Sequence, residues 1–188
     1  MTPDVVAGPV DPRVAEALPG VGIAFCAVTL SGDPLRRSPR ELRERLRALS
    51  DRLRGSRALA ERNHPTPLAY RATLRHLGRE ERSPSEELTV AALVHGGYRS
   101  RGLLSDALLI ATVETEVGVW AHDGGRPRLA FDGAPVVADD RGPIAPLFTD
   151  PATVTRATRH LHLYALTAPG VPDMSVTEAL WTAAELLE

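Results

Sequence analysis

Residues 128–148, RLAFDGAPVVADDRGPIAPLF, decide the fold class of this chain. Short β-rich pieces alternate here with Gly, Asp and Pro, and they predict a meander of strands at Arg128–Phe131, 135–138 and 144–148. The sequence before this stretch contains mostly helix signals. A run of helices followed by a run of strands favours an α+β domain, a mixed or antiparallel sheet packed with helices, over a regularly wound α/β sheet.

Helix-start signals are clearest at residues 38–41 and 83–86, where Ser-Pro-x-Glu combines a cap residue, proline at the first helical position and glutamate at the third. The first of these helices has an apolar stripe on an arginine-rich background. Residues 68–77 also have a helical pattern. The apolar stretch 103–113 fits either a buried helix or a strand. The stripe residues are Leu42, Leu46, Leu49 and Leu53.

The remaining elements lie toward the two ends. The β-rich run at 21–30 and the alternating run at 160–166 predict strands. A capping box at 175–178 predicts a terminal helix to about Leu187, and 153–157 suggests a short helix. We expect one domain over 1–188, with residues 1–9 as a flexible tail.

Composition excludes several classes of protein. The 188 residues are 43% apolar and 24% charged, an ordinary globular balance, and no apolar run approaches the roughly 20 residues of a membrane-spanning helix. A single cysteine excludes an internal disulfide and a multi-cysteine metal site. The first residues lack the pattern of a signal peptide, so a cytoplasmic protein without a membrane partner is expected.

Charge is distributed unevenly along the chain. The net charge of −2 argues against a general nucleic-acid binder, yet residues 36–82 hold 14 arginines and 6 acids. This +8 segment predicts either a phosphate-binding face or a solvated helix surface paired with the acidic remainder. The arginines free to reach a phosphate are those away from the leucine stripe: Arg40, Arg43, Arg47 and Arg54.

Two patterns resemble metal sites. His160 and His162 lie two apart on a predicted strand, so they share one face and could supply half of a zinc site. Asp139 and Asp140 could hold Mg²⁺, although an Asp-rich turn needs no ligand. Two surface histidines and a hairpin turn explain the same residues, and no metal is expected.

Nucleophilic chemistry has equally weak signals. His122 with Asp123, or any histidine with Ser83, Ser85 or Ser105, could form a hydrolase triad, but the Gly-x-Ser-x-Gly elbow is missing. Cys26 lies within an apolar run and is expected to be a small buried residue. Individual motifs therefore leave the function open.

The order of landmarks along the chain is more informative. Residues 10–23 lead into the first strand, and VVADDRG at 136–142 lies in the strand-rich half. Between them come 69–71, 83–88 and 103–106, and threonines follow Asp150. Over about residues 10–188 this order resembles the stand-alone relatives of the B3/B4 domain, the editing domain of the phenylalanyl-tRNA synthetase beta subunit.

The resemblance implies a pocket between sheet and helices that hydrolyses the ester of a tRNA carrying the wrong amino acid. It implies that polar groups position a water, with no side-chain nucleophile, no cofactor and no metal, and that the partner is tRNA or aminoacyl-tRNA. The pocket would come from segments around 82–86, 105–112 and 133–140. The residues expected to bind substrate are Arg82, Ser83, Glu86, Asp106, Thr112 and Asp139.

The chain also departs from the family pattern. Gly102 and Leu109 occupy positions where the family has asparagines, and residues 131–134 lack the family's glutamate. Two function classes therefore remain. One is a trans-acting hydrolase of misacylated tRNA. The other is a non-hydrolytic binding protein for aminoacyl-tRNA or an amino-acid-like ligand in a biosynthetic pathway.

Overall fold

The computed structural model describes residues 3–54 and 64–188. Helices and antiparallel sheets pack together, which confirms the predicted α+β class. The elements in chain order are β1 (Val6–Ala7), α1 (Pro12–Ala17), β2 (Gly22–Thr29), α2 (Arg40–Arg54), α3 (Pro65–His76), α4 (Pro84–His95), α5 (Leu103–Thr115), β3 (Val119–His122), β4 (Arg128–Phe131), β5 (Pro135–Asp139), β6 (Gly142–Pro146), β7 (His160–Thr167) and α6 (Asp173–Glu185).

The main sheet has the strand order β1-β2-β7-β3, with every pair antiparallel. Its centre is formed by the strands predicted at 21–30 and 160–166, which pair along their whole length. Leu163 and Leu166 lie on opposite faces of β7 and are both fully buried, so both faces of the sheet centre are covered. Helix α6 packs on β2 and β7, and β3 forms one edge of the sheet.

The predicted meander is confirmed as a second antiparallel sheet of order β4-β5-β6. Leu129 pairs with Val137, and Val137 pairs with Ala145 across the middle strand. The third strand begins at Gly142, two residues earlier than the sequence suggested. Asp139 is the last residue of β5, directly before the turn that leads to β6, and this position directs it toward the candidate site.

The N-terminal segment joins the two sheets. Val6 pairs with Phe25 in β2. On the other sheet, Leu129 N in β4 donates to Pro9 O (2.9 Å), and Asp11 N donates to Leu129 O (3.0 Å). Where the sequence predicts a flexible tail, residues 6–9 thus satisfy backbone groups at the edges of β2 and β4. Residues 1 and 2 lie outside the described part of the chain.

Most of the helix signals are confirmed, but the start expected at 38–41 is wrong in detail: α2 begins at Arg40, and Ser38 Oγ donates to Asp106 Oδ2 (2.5 Å) instead of capping the helix. Leu42, Leu46 and Leu49 are buried, and α4 has the complete capping box, with Ser83 N donating to Glu86 Oε2 (2.9 Å). The ambiguous stretch at 103–113 is helix α5. Among residues 3–54 and 64–188, no helix is long and apolar enough to cross a membrane.

Two element predictions are wrong. Residues 153–157 form turns instead of a helix, because threonine hydroxyls there bond to neighbouring backbone groups: Thr155 Oγ1 accepts from Ala157 N (3.3 Å) and Thr158 Oγ1 from Thr155 N (3.0 Å). The terminal helix begins at Asp173, before the expected capping box, with Pro172 as its cap residue.

Candidate active site

A cavity of about 590 Å³ lies between α4, α5, the edge strand β3 and the segment around residues 148–154. We call it the β3 cavity. Its volume suits a single small ligand. Apolar side chains form much of the wall, and charged groups of both signs are present. The apolar residues include Leu104, Leu108, Trp120 and Phe148, and the charged ones include Arg82, Glu87, Arg99, Arg101 and Asp150.

A chain of three side chains ends at this cavity. Thr153 lines the cavity, and its Oγ1 lies 3.1 Å from His122 Nδ1. On the other side of the ring, His122 Nε2 lies 3.0 Å from Asp139 Oδ2. The imidazole is buried, with 4% of the residue exposed, whereas Thr153 is only partly buried. The Thr153–His122–Asp139 relay thus connects a cavity hydroxyl to a buried carboxylate.

The electrostatics of Asp139 fix the direction of these hydrogen bonds. Burial would raise the pKa of this carboxyl, but hydrogen bonds from His122 and from the backbone N–H groups of Arg141 and Gly125 lower it to about 2. Asp139 is therefore ionised at neutral pH and can only accept. In the neutral imidazole, the proton is therefore on His122 Nε2, which donates to Asp139, and Nδ1 accepts from the Thr153 hydroxyl.

Thr153 also accepts a hydrogen bond from Asp123 N (3.0 Å), which anchors its segment to the end of β3. One lone pair of Thr153 Oγ1 remains for a group in the cavity, since a hydroxyl has one proton and two acceptor positions. The arrangement of hydroxyl, imidazole and carboxylate has the polarity of a general-base system. It can draw a proton out of the cavity and stabilise the resulting imidazolium.

Of the residues expected to bind substrate, Arg82 and Thr112 line the β3 cavity. The Arg82 side chain is exposed, while Thr112 is buried and accepts a hydrogen bond from Val119 N (3.2 Å). The expected segments around 82–86 and 105–112 therefore both contribute to this wall. No residue of the third segment, 133–140, lines the cavity. Asp139 is connected to it only through His122 and Thr153.

The other predicted residues have structural partners. Ser83 and Glu86 form the capping box of α4, and Glu86 also lies 3.5 Å from Arg71. Asp106 is fully buried at the start of α5. It accepts from Ser38 Oγ, Ser100 Oγ and Arg101 N at 2.5, 2.5 and 2.8 Å. None of these three contributes to the lining of the β3 cavity.

The predicted phosphate contacts lie on α2. Arg40 and Arg47 are exposed, and Arg40 Nε donates to Glu44 Oε1 (2.6 Å). Arg43 is partly buried. The side chain of Arg54 lies outside the described part of the chain.

His122 and Thr153 are the site residues whose partners sequence reasoning missed. The sequence suggests Asp123 or a serine as the partner of His122, whereas the partners are Asp139, 17 residues later, and Thr153, 31 residues later. The available signal was strand β3 itself. Its four residues are all buried and show no alternation, so the sequence pattern does not mark a strand between the helix and the Asp-Gly-Gly turn.

A second cavity of about 580 Å³ lies among α2, α3, α4 and α5. Four of its charged side chains form pairs: Arg71 lies 3.5 Å from Glu86, and Arg52 lies 3.8 Å from Glu114. It contains no counterpart of the Thr153–His122–Asp139 relay among the described residues. The β3 cavity is therefore the better candidate for chemistry.

The metal and thiol alternatives receive no support from geometry. Within residues 3–54 and 64–188, no group of three or more His, Cys, Asp and Glu side chains could hold a metal ion. His160 Nδ1 lies 3.2 Å from Thr29 Oγ1, and His162 Nδ1 lies 3.1 Å from Gly124 O. Cys26 is buried, and burial raises the pKa of its thiol to about 12, so it is protonated at neutral pH.

Comparison of the chain with models of known families finds no match, and comparison with curated proteins finds none either. The functional argument therefore depends on the β3 cavity and on the relay that ends there.

Proposed function

We propose that the protein hydrolyses the ester bond of aminoacyl-tRNA in the β3 cavity, as a trans-acting editing enzyme of the cytoplasm. The observation that supports this reaction is the Thr153–His122–Asp139 relay, whose hydroxyl end lines the cavity. Ester hydrolysis at neutral pH needs a group that accepts a proton from water. The relay supplies that group, and the Asp139 carboxylate stabilises the positive charge that develops on His122.

In this mechanism a water molecule donates a proton to Thr153 Oγ1, and Thr153 passes its own proton to His122 Nδ1. The oxygen of that water forms a bond to the acyl carbon, giving a tetrahedral intermediate. The bond between the acyl carbon and the ribose oxygen then breaks. The proton held by His122 returns through Thr153 to the ribose oxygen, so the products are the free amino acid and the uncharged tRNA.

The chemistry of the cavity wall suits this substrate. Trp120 and Phe148, whose ring centroids are 6.1 Å apart, provide an apolar surface for an amino-acid side chain. Arg82, Arg99 and Arg101 are exposed at the same cavity. Guanidinium groups bind phosphate oxygens with two parallel hydrogen bonds, so these arginines favour the phosphates near the charged end of a tRNA.

The test is deacylation of a panel of charged tRNAs by the wild type and by variants at Thr153. We expect Thr153→Ala to lose about two orders of magnitude in rate, because it removes the hydroxyl that receives the water proton. Thr153→Ser keeps this hydroxyl and should keep most of the activity. Thr155→Ala is the matched control, since its hydroxyl bonds to Ala157 N and to the Thr158 hydroxyl and not to His122.

Equal rates for Thr153→Ala and the wild type would overturn the mechanism. A wild type that binds the charged tRNA but hydrolyses no member of the panel would overturn the proposed function, and non-hydrolytic binding would replace it.

The arginines of α2 give a second prediction, about the delivery of tRNA. We propose that Arg40, Arg43, Arg47 and Arg54 contact tRNA phosphates. Replacing all four with glutamine should weaken tRNA binding and make it less sensitive to salt, by about one unit of the log–log slope for each lost contact. Filter binding at several salt concentrations measures both quantities.

The matched control replaces four exposed arginines outside the +8 segment and changes net charge equally: Arg126, Arg141, Arg156 and Arg159. An equal loss of binding in both variants would show that only the total charge matters.

A further inference from the structure

The outer edge of β3 faces the β3 cavity. Gly8 N donates to Ile23 O, so the odd-numbered residues of β2 point their backbone groups toward β1 and the even-numbered ones toward β7. The register then places the backbone groups of Tyr164 and His162 toward β3. In β3, the backbone groups of Trp120 and His122 pair with them. The backbone N–H and C=O groups of the alternate residues therefore point toward the outer edge of the sheet.

Three successive N–H groups therefore lie along this outer edge, at Val119, Ala121 and Asp123. The first donates to Thr112 Oγ1 (3.2 Å), and the third donates to Thr153 Oγ1 (3.0 Å). These two hydrogen bonds independently confirm the direction deduced from the register. Ala121 lies between them.

The N–H of Ala121 has no hydrogen-bond partner within residues 3–54 and 64–188. Ala121 is nevertheless buried, with 3% of the residue exposed, and it lines the β3 cavity. Buried backbone donors in folded proteins are nearly always paired. An unpaired donor at the wall of a cavity is a feature that a bound oxygen atom would explain.

We infer that the Ala121 N–H binds the acyl carbonyl oxygen of the substrate and stabilises the negative charge that develops on it. This inference rests on the proposed function. Amides two residues apart on a strand are about 7 Å apart. The Thr153 hydroxyl lies at the Asp123 N–H. When the carbonyl oxygen of the substrate is bound at the Ala121 N–H, one water fits between that hydroxyl and the carbonyl carbon. The edge thus holds the acyl group and the water next to each other.

The decisive variant replaces residue 121 with lactic acid by nonsense suppression, because the resulting ester removes the N–H and keeps the methyl group. We expect the deacylation rate constant kcat to fall about 10²–10³-fold, the usual effect of deleting one oxyanion donor. Lactic acid at residue 157 is the control. Ala157 is exposed and does not line the β3 cavity, and its N–H donates to Thr155 Oγ1 (3.3 Å).

A binding measurement on the wild type keeps the inference testable without catalysis. The probe is an adenosine whose 3′ position carries the aminoacyl group through an amide, which cannot be hydrolysed as the ester can. In protein labelled with ¹⁵N-alanine, saturation with this probe should move the Ala121 amide proton downfield. The residue-121 ester should bind the probe more weakly.

The outcomes separate the two proposals. If the wild type deacylates tRNA while the residue-121 ester has an unchanged kcat, the inference fails and the proposed function stands. If no deacylation occurs but the Ala121 amide moves, the proposed function fails and Ala121 remains a carbonyl-binding group. An Ala121 amide that does not move at the highest probe concentration overturns the inference.

Discussion

We expect Gly124→Ala to slow the proposed deacylation strongly and to destabilise the fold. A Cβ built on Gly124 lies 2.2 Å from His122 Nε2 and 2.8 Å from Asp139 Oδ2, directly on the hydrogen bond that joins them. Both side chains are buried and cannot move into solvent. We expect a loss of about 10²–10⁴ in rate because the general base is disrupted, and a loss of about 1–3 kcal/mol in the free energy of unfolding from overpacking.

Gly32→Ala is the matched control for this substitution. Its Cβ would meet only Arg36 Nη1, at 3.5 Å, an ordinary contact with the end of a flexible side chain. We expect its stability to remain within about 0.5 kcal/mol of the wild type and its rate to be unchanged. Deacylation kinetics and urea unfolding measure the two effects separately. A Gly124→Ala variant with wild-type stability and wild-type rate would show that the His122–Asp139 bond is not required.

Elements with local signals could be predicted from the sequence. The capping box of α4 depends on residues three apart, so Ser83 and Glu86 identify its start without knowledge of the rest of the chain. The meander 128–148 is bounded by turn residues, and the leucine stripe of α2 has a helical period. In each case the interactions that define the element lie within a few residues.

The candidate site could not be predicted in the same way, because its contacts connect distant parts of the chain. The relay joins β3, the end of β5 and the turn at Thr153. Whether Asp139 accepts from a histidine or lies exposed in a hairpin depends on how the meander docks against the main sheet. Sequence spacing contains no information on that docking.

The charge pattern of the sequence predicts where the basic residues lie but not which of them form ion pairs. The basic character of residues 36–82 is visible in the sequence, but its division between solvent and ion pairs is not. Arg45 on α2 forms a forked pair with Glu114 on α5, in which Arg45 Nε donates to Glu114 Oε1 (3.0 Å). Arg47, two residues further along α2, is exposed. The structure therefore separates arginines that join helices from arginines available to a phosphate.

Asp106 gives the second large effect, on stability. Its carboxylate accepts three hydrogen bonds, from the hydroxyls of Ser38 and Ser100 and from the backbone N–H of Arg101, at a fully buried position. Asp106→Ala leaves all three donors without their acceptor, and each buried donor left unpaired costs about 1–3 kcal/mol. We expect the free energy of unfolding to fall by at least about 3 kcal/mol, measured by urea unfolding.

The same variant decides between two roles for Asp106, since the sequence predicted that it binds substrate. As a residue that ties the start of α5 to the segments at Ser38 and Ser100, it should affect stability while the folded fraction keeps its affinity for the amide-linked aminoacyl-adenosine. Ser105→Ala, at the exposed neighbouring position, should cost within about 0.5 kcal/mol. A stability loss below about 1 kcal/mol, together with loss of probe binding, would instead restore Asp106 to the substrate site. The burial of its carboxylate away from the β3 cavity makes the structural role the expected result.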